Sequence, residues 1–385
     1  MKRKIIYIIL CFSLCISLQG NAQDSLSVDA IIKRIAEKQV DKDAFFMQDI
    51  FPSYITNKPQ FKLKKKDNNS FYNALVGYTL NMLEDELNAG NRQIIDSIDN
   101  NSQKLFTHFK NTKGRETYNF WRTDSAYTFP YTWWISLIKK NANVADDLDC
   151  TVLCLLVSNT PDSTAAKVHT LMQQFVNNTA HPTKTTSADY KKYGAYSSWF
   201  GKNFPVVFDL CVLSNVLTFV QTYDLKWSKA DSASLQLIIA ALNKKNHIEK
   251  PLLVSPYYGR TSIILYHLAR LMYVKPIPAL EDLKDSLIQQ ALTAFDQTND
   301  LLEKILLSNA LYKWKATPPP MPSFTLKEIE QSDLPFFIGN IPSYLKYTYQ
   351  KVLVKKGIGL FYYYCPAFND ALLAEYLVLK SKAER

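Results

Sequence analysis

Residues 69–83 have the sequence NSFYNALVGYTLNML, in which apolar side chains recur with the spacing of an α-helix. Phe71, Leu75 and Tyr78 lie three or four positions apart, so one face of such a helix would be apolar. Asn69 stands immediately before them and is a residue type that caps helix N-termini. The stretch therefore predicts an amphipathic helix that begins after Asn69.

The same periodicity continues along most of the chain, whereas a series of alternating strands is absent from the pattern. The predicted helical segments are 28–35, 71–83, 94–109, 148–157, 165–176, 206–223, 235–242, 263–274, 283–295, 301–314 and 371–379. Only the aromatic run at 359–364 predicts a strand or an extended loop. Helices without strand partners must bury their apolar faces against one another. We therefore expect an all-α fold in which helical hairpins close into an α/α toroid, a helical barrel, over a single domain 24–385.

The N-terminus has the pattern of a secretory signal peptide over residues 1–23. Lys2, Arg3 and Lys4 precede an apolar run at 5–18, and small residues follow it. The run is shorter than the ~20 residues of a membrane span, and we expect no transmembrane segment in the mature chain. Removal of residues 1–23 would lower the net charge from +10 to +7. These features predict a periplasmic or secreted protein, for which nucleic acid is not an expected partner.

Three carboxylates, Asp146, Asp147 and Asp149, fall at the start of the helix predicted over 148–157. One interpretation is structural, because free amides and the helix dipole stabilise carboxylates there. The other is chemical. In an apolar cavity, desolvation would keep Asp149 protonated as a proton donor, and Asp146, one turn earlier on the same face, would assist it.

The block at 144–151 resembles the aspartate-rich helix start of terpenoid cyclases and of protein-prenyltransferase-like α/α toroids. Asp149-Cys150-Thr151 looks like the Asp-Cys-Thr of triterpene cyclases, in which the aspartate protonates the substrate. Supporting blocks lie at 196–200, 209–217 and 257–270, so the resemblance covers the middle of the chain. It implies an α/α toroid that binds an apolar or isoprenoid-type ligand, with Asp149 as the proton donor. No cofactor is expected.

Aromatic and basic residues form the predicted ligand-binding set, since such side chains can stack on a small molecule, a lipid or a glycan. They are Trp121, Arg122, Trp133, Trp134, Tyr196, Trp199, Tyr257 and Tyr258. A rival hypothesis is a polysaccharide hydrolase or lyase on the same architecture, in which two carboxylates among Asp124, Asp147 and Asp149 share acid and base duties. A third is a binding or structural protein without catalysis.

Asp209, Cys211 and His267 are similar in type to the zinc ligands of protein prenyltransferases. A catalytic zinc site requires three converging ligands, and His267 lies well inside a predicted helix. We therefore favour a core cysteine and a partly buried histidine, and we expect no metal. Cys150 and Cys154, four positions apart, are expected to be packed thiols.

Overall fold

The computed structural model describes residues 26–58, 64–124, 145–201 and 204–385. Helices predominate in this part of the chain, as predicted. They are α1 (Val28–Glu37), α2 (Ser70–Asn81), α3 (Ala89–Phe106), α4 (Leu148–Val157), α5 (Asp162–Met172), α6 (Leu210–Thr222), α7 (Lys229–Asn243), α8 (Asn246–Glu249), α9 (Pro251–Val254), α10 (Thr261–Val274), α11 (Pro278–Glu281), α12 (Lys284–Gln297), α13 (Leu301–Lys313), α14 (Leu326–Glu330), α15 (Tyr347–Lys355) and α16 (Pro366–Glu384). The predicted signal peptide lies outside the described residues.

A small antiparallel sheet accompanies the helices, so the fold is mostly helical rather than all-α as expected. Its strands are β1 (Ser53–Thr56), β2 (Lys65–Asp67), β3 (Phe337–Asn340) and β4 (Leu360–Tyr364), in the order β2-β1-β4-β3. The prediction of extended structure at 359–364 is confirmed by β4. The other three strands have three or four residues, too few for alternation to stand out from the helical pattern.

Six helices are buried over most of their length: α2, α4, α6, α10, α13 and α16. Each packs against the next in this order, and α16 packs against α2. In contrast, α1, α3, α7 and α12 bury one face and lie against members of this set. A helix that is apolar all round belongs in a core, which explains this division between the two groups.

The N-terminal ends of these six helices lie close together. The amide of Ser70 at the start of α2 donates to Phe120, and the amide of Asp147 just before α4 donates to Tyr118. The amide of Leu148 donates to Ser198, which is itself bonded to the segment before α6. These links place the first residues of α2, α4 and α6 at the same end of the molecule.

The remaining three helices begin at this end too. Ser255, which lies before α10, donates to Asp209 at the start of α6. Arg260 at the start of α10 pairs with Glu303 in the first turn of α13 at 3.5 Å. Phe368 in the first turn of α16 lies 4.6 Å from the ring of Phe336. Side chains from the first turns of all six helices can therefore share one environment.

Several predicted helix ends differ from the observed ones. Asn69 caps α2 as predicted, its side chain accepting from the amide of Tyr72 at 3.1 Å. The predicted helix over 206–223 begins only at Leu210, because Asp209 satisfies the first free amides of α6. The segment predicted over 165–176 ends at Met172. Apolar spacing continued beyond the true ends in both cases, since loop residues also pack on the core.

Candidate functional site

Asp149 is the second residue of α4, and its side chain is buried. The Asn215 amide donates to its Oδ1 at 2.6 Å, and the Tyr258 hydroxyl donates to its Oδ2. Burial raises the pKa of Asp149, and this effect outweighs the two hydrogen bonds, which lower it. The site thus holds a desolvated carboxyl group between an amide and a phenol.

Asn215 connects this carboxyl to a buried cation. Its side-chain oxygen accepts a hydrogen bond from Nη2 of Arg270. The guanidinium lies 4.9 Å from the ring centre of Tyr78 and 5.5 Å from that of Tyr266. Nη1 of Arg270 is buried and finds no hydrogen-bond partner among the described residues. The positive charge also acts on Asp149, whose pKa it lowers in part.

A second buried polar group lies between α10, α13 and α16. Lys313 and Glu375 form an ion pair at 2.7 Å with both side chains buried. Glu375 also accepts from the hydroxyl of Tyr266 at 2.9 Å and from the amide of Asn309 at 2.8 Å. Both charges thus have partners, as buried charges require. The sequence analysis did not predict this pair. The signal that could have indicated it is Glu375, a charged residue between apolar residues of α16.

Asp147 is the N-cap of α4. Its Oδ1 accepts from the amide of Cys150 at 2.7 Å, while its buried Oδ2 finds no partner in the described part of the chain. Burial raises the pKa of Asp147 to about 8, and the neighbouring carboxyl groups of Asp149 and Asp146 add to the shift. The capping interpretation therefore holds for Asp147.

Asp146 lies before the cap and outside the helix. Its carboxylate accepts from Thr117 at 2.7 Å and from the amide of Asn111, two residues of a neighbouring loop. The expectation that Asp146 precedes Asp149 by one turn on the same helix face was wrong. The reason is that α4 begins two residues later than that alignment needs.

Asp209 is a second buried carboxyl at a helix start. It accepts from Ser255 at 2.6 Å, from the amide of Tyr257 at 2.8 Å and from the amide of Cys211 at 2.8 Å. Burial raises its pKa to about 7 despite these bonds. Its role is to fix the loop before α10, which carries Tyr258 toward Asp149.

Asp209, Cys211 and His267 do not converge on a common point. No group of three or more histidine, cysteine or acidic side chains is placed to hold a metal ion within the described ranges. Nδ1 of His267 donates to the carbonyl of Ile263 at 2.8 Å, and the ring is fully buried rather than partly so. Cys150, Cys154 and Cys211 are buried free thiols, which confirms packed cysteines.

Of the predicted ligand-binding residues, the tyrosines before α10 and Trp199 lie nearest Asp149. Tyr258 contacts its carboxyl directly, and the Trp199 indole donates to the Tyr257 hydroxyl at 2.8 Å. The ring of Tyr258 lies 4.6 Å from His267 and 5.7 Å from Phe336. Aromatic side chains therefore lie around the Tyr258 phenol, which donates to Asp149.

The other predicted ligand-binding residues lie elsewhere. The Trp121 indole donates to Asp67 in the sheet, and the Tyr196 hydroxyl donates to Asp231 on α7. Arg122 forms an exposed ion pair with Asp124. Hydrogen bonds from Arg122 and His108 lower the pKa of Asp124 to about 2. Trp133 and Trp134 lie outside the described residues. The predicted aromatic set therefore does not form a single surface.

Packed rings lie around Tyr258, the phenol that donates to Asp149. Phe337 lies 5.8 Å from Tyr258 and 4.6 Å from Phe71, and Phe336 stacks on His267 at 5.6 Å. Pockets of about 390, 430 and 440 Å³ are lined by described residues, and Asp149 lines none of these three. Phe336 and Phe337 thus fill space around the Tyr258 ring.

In comparisons with known proteins, no family model matches the chain, and no curated protein or solved structure is significantly similar to it. Its function must accordingly be argued from its own residues. Within the described ranges, no helix is both long and apolar enough to cross a bilayer.

Proposed function

We propose that the chain is an exported α/α toroid whose inner ring consists of α2, α4, α6, α10, α13 and α16. It binds an apolar, isoprenoid-type ligand where the N-termini of these helices meet, and Asp149 donates a proton to that ligand. The closed order of helix contacts supports the toroid. The pattern at residues 1–23 supports export to the periplasm or the medium.

The main support for this proposal is the environment of the Asp149 carboxyl. It is buried, its pKa is raised by desolvation, and both of its oxygens are held by Asn215 and Tyr258. A carboxylic acid that keeps its proton in an apolar site is the group that general acid catalysis needs. A helix cap alone does not explain it, because Asp147 already caps α4.

The chemistry follows from this placement. The O–H bond of Asp149 breaks as a C–H bond forms from the π electrons of a ligand alkene, which leaves a carbocation on the ligand and a carboxylate on the protein. The electron-rich faces of Tyr258 and Tyr257 stabilise such a cation. Asn215 and the charge of Arg270 stabilise the carboxylate. Loss of a proton from a carbon next to the cation then gives a neutral alkene, and the Tyr258 hydroxyl, which bonds to Asp149, is a group through which a proton can return to the carboxylate.

The test uses squalene, an acyclic polyisoprenoid, in deuterated water. We expect the protein to form products that carry deuterium on carbon, detected by mass spectrometry, and the Asp149→Asn variant to form at least 100-fold less, as expected when a general acid is removed. The control is Asp285→Asn, an exposed aspartate in the first turn of α12, which should leave the rate unchanged.

Absence of deuterated product from the unaltered protein, together with no isoprenoid among the lipids that purify with it, would contradict the proposal. Release of reducing sugars from a glycan panel, abolished by Asp149→Asn, would instead favour the hydrolase or lyase. Of the three carboxylates named for that rival, Asp124 is held in an exposed ion pair, so Asp147 and Asp149 would have to share the acid and base duties. A role in stability alone would leave both assays negative in every variant.

A further inference from the structure

Five exposed apolar side chains are concentrated between residues 341 and 358. Their exposed fractions are 39% for Ile341, 41% for Leu345, 59% for Tyr349, 54% for Val352 and 52% for Ile358. Only three other large apolar residues are as exposed in the described part of the chain. Single exposed apolar residues are ordinary, but a cluster on one short segment marks an interaction surface.

The segment is held firmly against the protein, so its exposure is not fraying. Gln350, the buried residue of α15, donates to the carbonyls of Thr185 at 2.7 Å, Leu345 at 2.8 Å and Ser343 at 3.1 Å. The amide of Tyr347 donates to Lys184 at 2.8 Å. These bonds fix the inner face of α15 and direct its opposite face to solvent.

The exposed apolar side chains fall into two groups on this segment. Tyr349 and Val352 are three positions apart and lie on the same face of α15. The amide of Ile341 donates to the carbonyl of Gly359 at 3.0 Å, which brings Ile341 beside Ile358. Leu345 lies between Ile341 and Tyr349 in the sequence, two residues before the helix begins.

The charged residues of this segment are all basic. Lys346, Lys351, Lys355 and Lys356 are exposed, and no acidic residue occurs from 334 to 369. None of these lysines forms an ion pair with a described residue. Asp189 lies near Tyr347 on the neighbouring element, but it is already paired with Lys244 at 2.7 Å. We call the five apolar residues and these four lysines the basic apolar face.

We propose that the basic apolar face docks the protein onto an anionic lipid surface. Lysine is depleted from protein–protein interfaces, whereas lysines that flank exposed aliphatic and aromatic residues suit a membrane interface. Two copies meeting through this face about a twofold axis would oppose their lysines, which disfavours a homodimer. The proposal does not depend on Asp149 or on its chemistry.

The experiment measures partition of the protein, recovered after export so that residues 1–23 do not anchor it, onto sedimenting vesicles. One set contains phosphatidylcholine alone, and the other also contains phosphatidylglycerol. We expect binding to the anionic set, weakened by salt, and a decrease of about tenfold or more in the variant Lys351→Glu/Lys355→Glu. Val352→Ser/Tyr349→Ser should also weaken it, because apolar burial is lost.

The matched control is Lys226→Glu/Lys229→Glu, which makes the same change in net charge at two exposed lysines outside the face. It should alter partition less than twofold. Equal losses in the two charge variants, or no preference for anionic vesicles, would overturn the proposal. So would a dimer in gel filtration that the Val352→Ser/Tyr349→Ser variant dissociates, since a second copy would then cover the face.

Discussion

Asp149 and its neighbours show what single residues disclose in a sequence. The carboxylates at the start of α4 and the tyrosines before α10 could be selected because their residue types and positions suggest an acid beside aromatic rings. The residues to which they hydrogen-bond could not be predicted from the sequence. Asn215 is 66 positions from Asp149, and Glu375 is 109 positions from Tyr266, so only packing of distant helices decides these pairs.

The burial of Asp147 leads to a prediction about the pH dependence of stability. Its pKa is about 8 in the folded chain against 3.8 for an ordinary aspartate, so folding binds a proton that the unfolded chain releases above about pH 4. The stability it contributes is therefore present at acidic pH and is lost as the pH rises toward 8. Asparagine caps equally well but does not titrate.

Asp147→Asn should accordingly increase the free energy of unfolding at pH 8 by roughly 1 to 3 kcal/mol and leave it nearly unchanged at pH 4. Urea unfolding at the two pH values measures this. Asp162→Asn, in the exposed first turn of α5, should show no such dependence. A uniform loss at both pH values would mean that the carboxylate itself is required.

At the scale of elements, the helices were predictable because each repeats its apolar spacing over several turns. The helix ends were less predictable. Residues 206–209, for example, were predicted to be helical but lie before α6. The short strands were missed because their pairing is made between residues far apart, such as Tyr54 with Tyr364. Close approach between helices is likewise invisible in the sequence, and Gly77 on α2 is an example.

Gly77 lies where α2 meets α3 and α4. A Cβ there would come within 2.7 Å of Asp99 Oδ1 and 2.9 Å of Val157 Cγ1, and the valine is stiff. We expect Gly77→Ala to decrease the free energy of unfolding by about 1 to 2 kcal/mol, since overpacking exceeds the gain in helix propensity. Gly90→Ala, near the start of α3, meets only Asn88 at 3.4 Å and should be neutral or stabilising. Equal effects in thermal unfolding would show that the contact relaxes freely.

For the whole molecule, the predominance of helices followed from the absence of alternating segments, but the order of their neighbours did not. The contact of α16 with α2 joins residues almost 300 positions apart, and no local pattern encodes it. That contact joins the last of the six helices to the first, and the Asp149 carboxyl is buried among them. The function proposed for the protein depends on this arrangement, because only a desolvated acid keeps its proton.

The protonation of Asp149 can be measured directly by infrared difference spectroscopy at pH 7, comparing the unaltered protein with Asp149→Asn in the carbonyl stretching region. We expect the unaltered protein to have one additional band from a protonated carboxyl group and the variant to lack it. If the variant instead lacks only a carboxylate band, Asp149 is ionised in the folded protein and is not a proton donor.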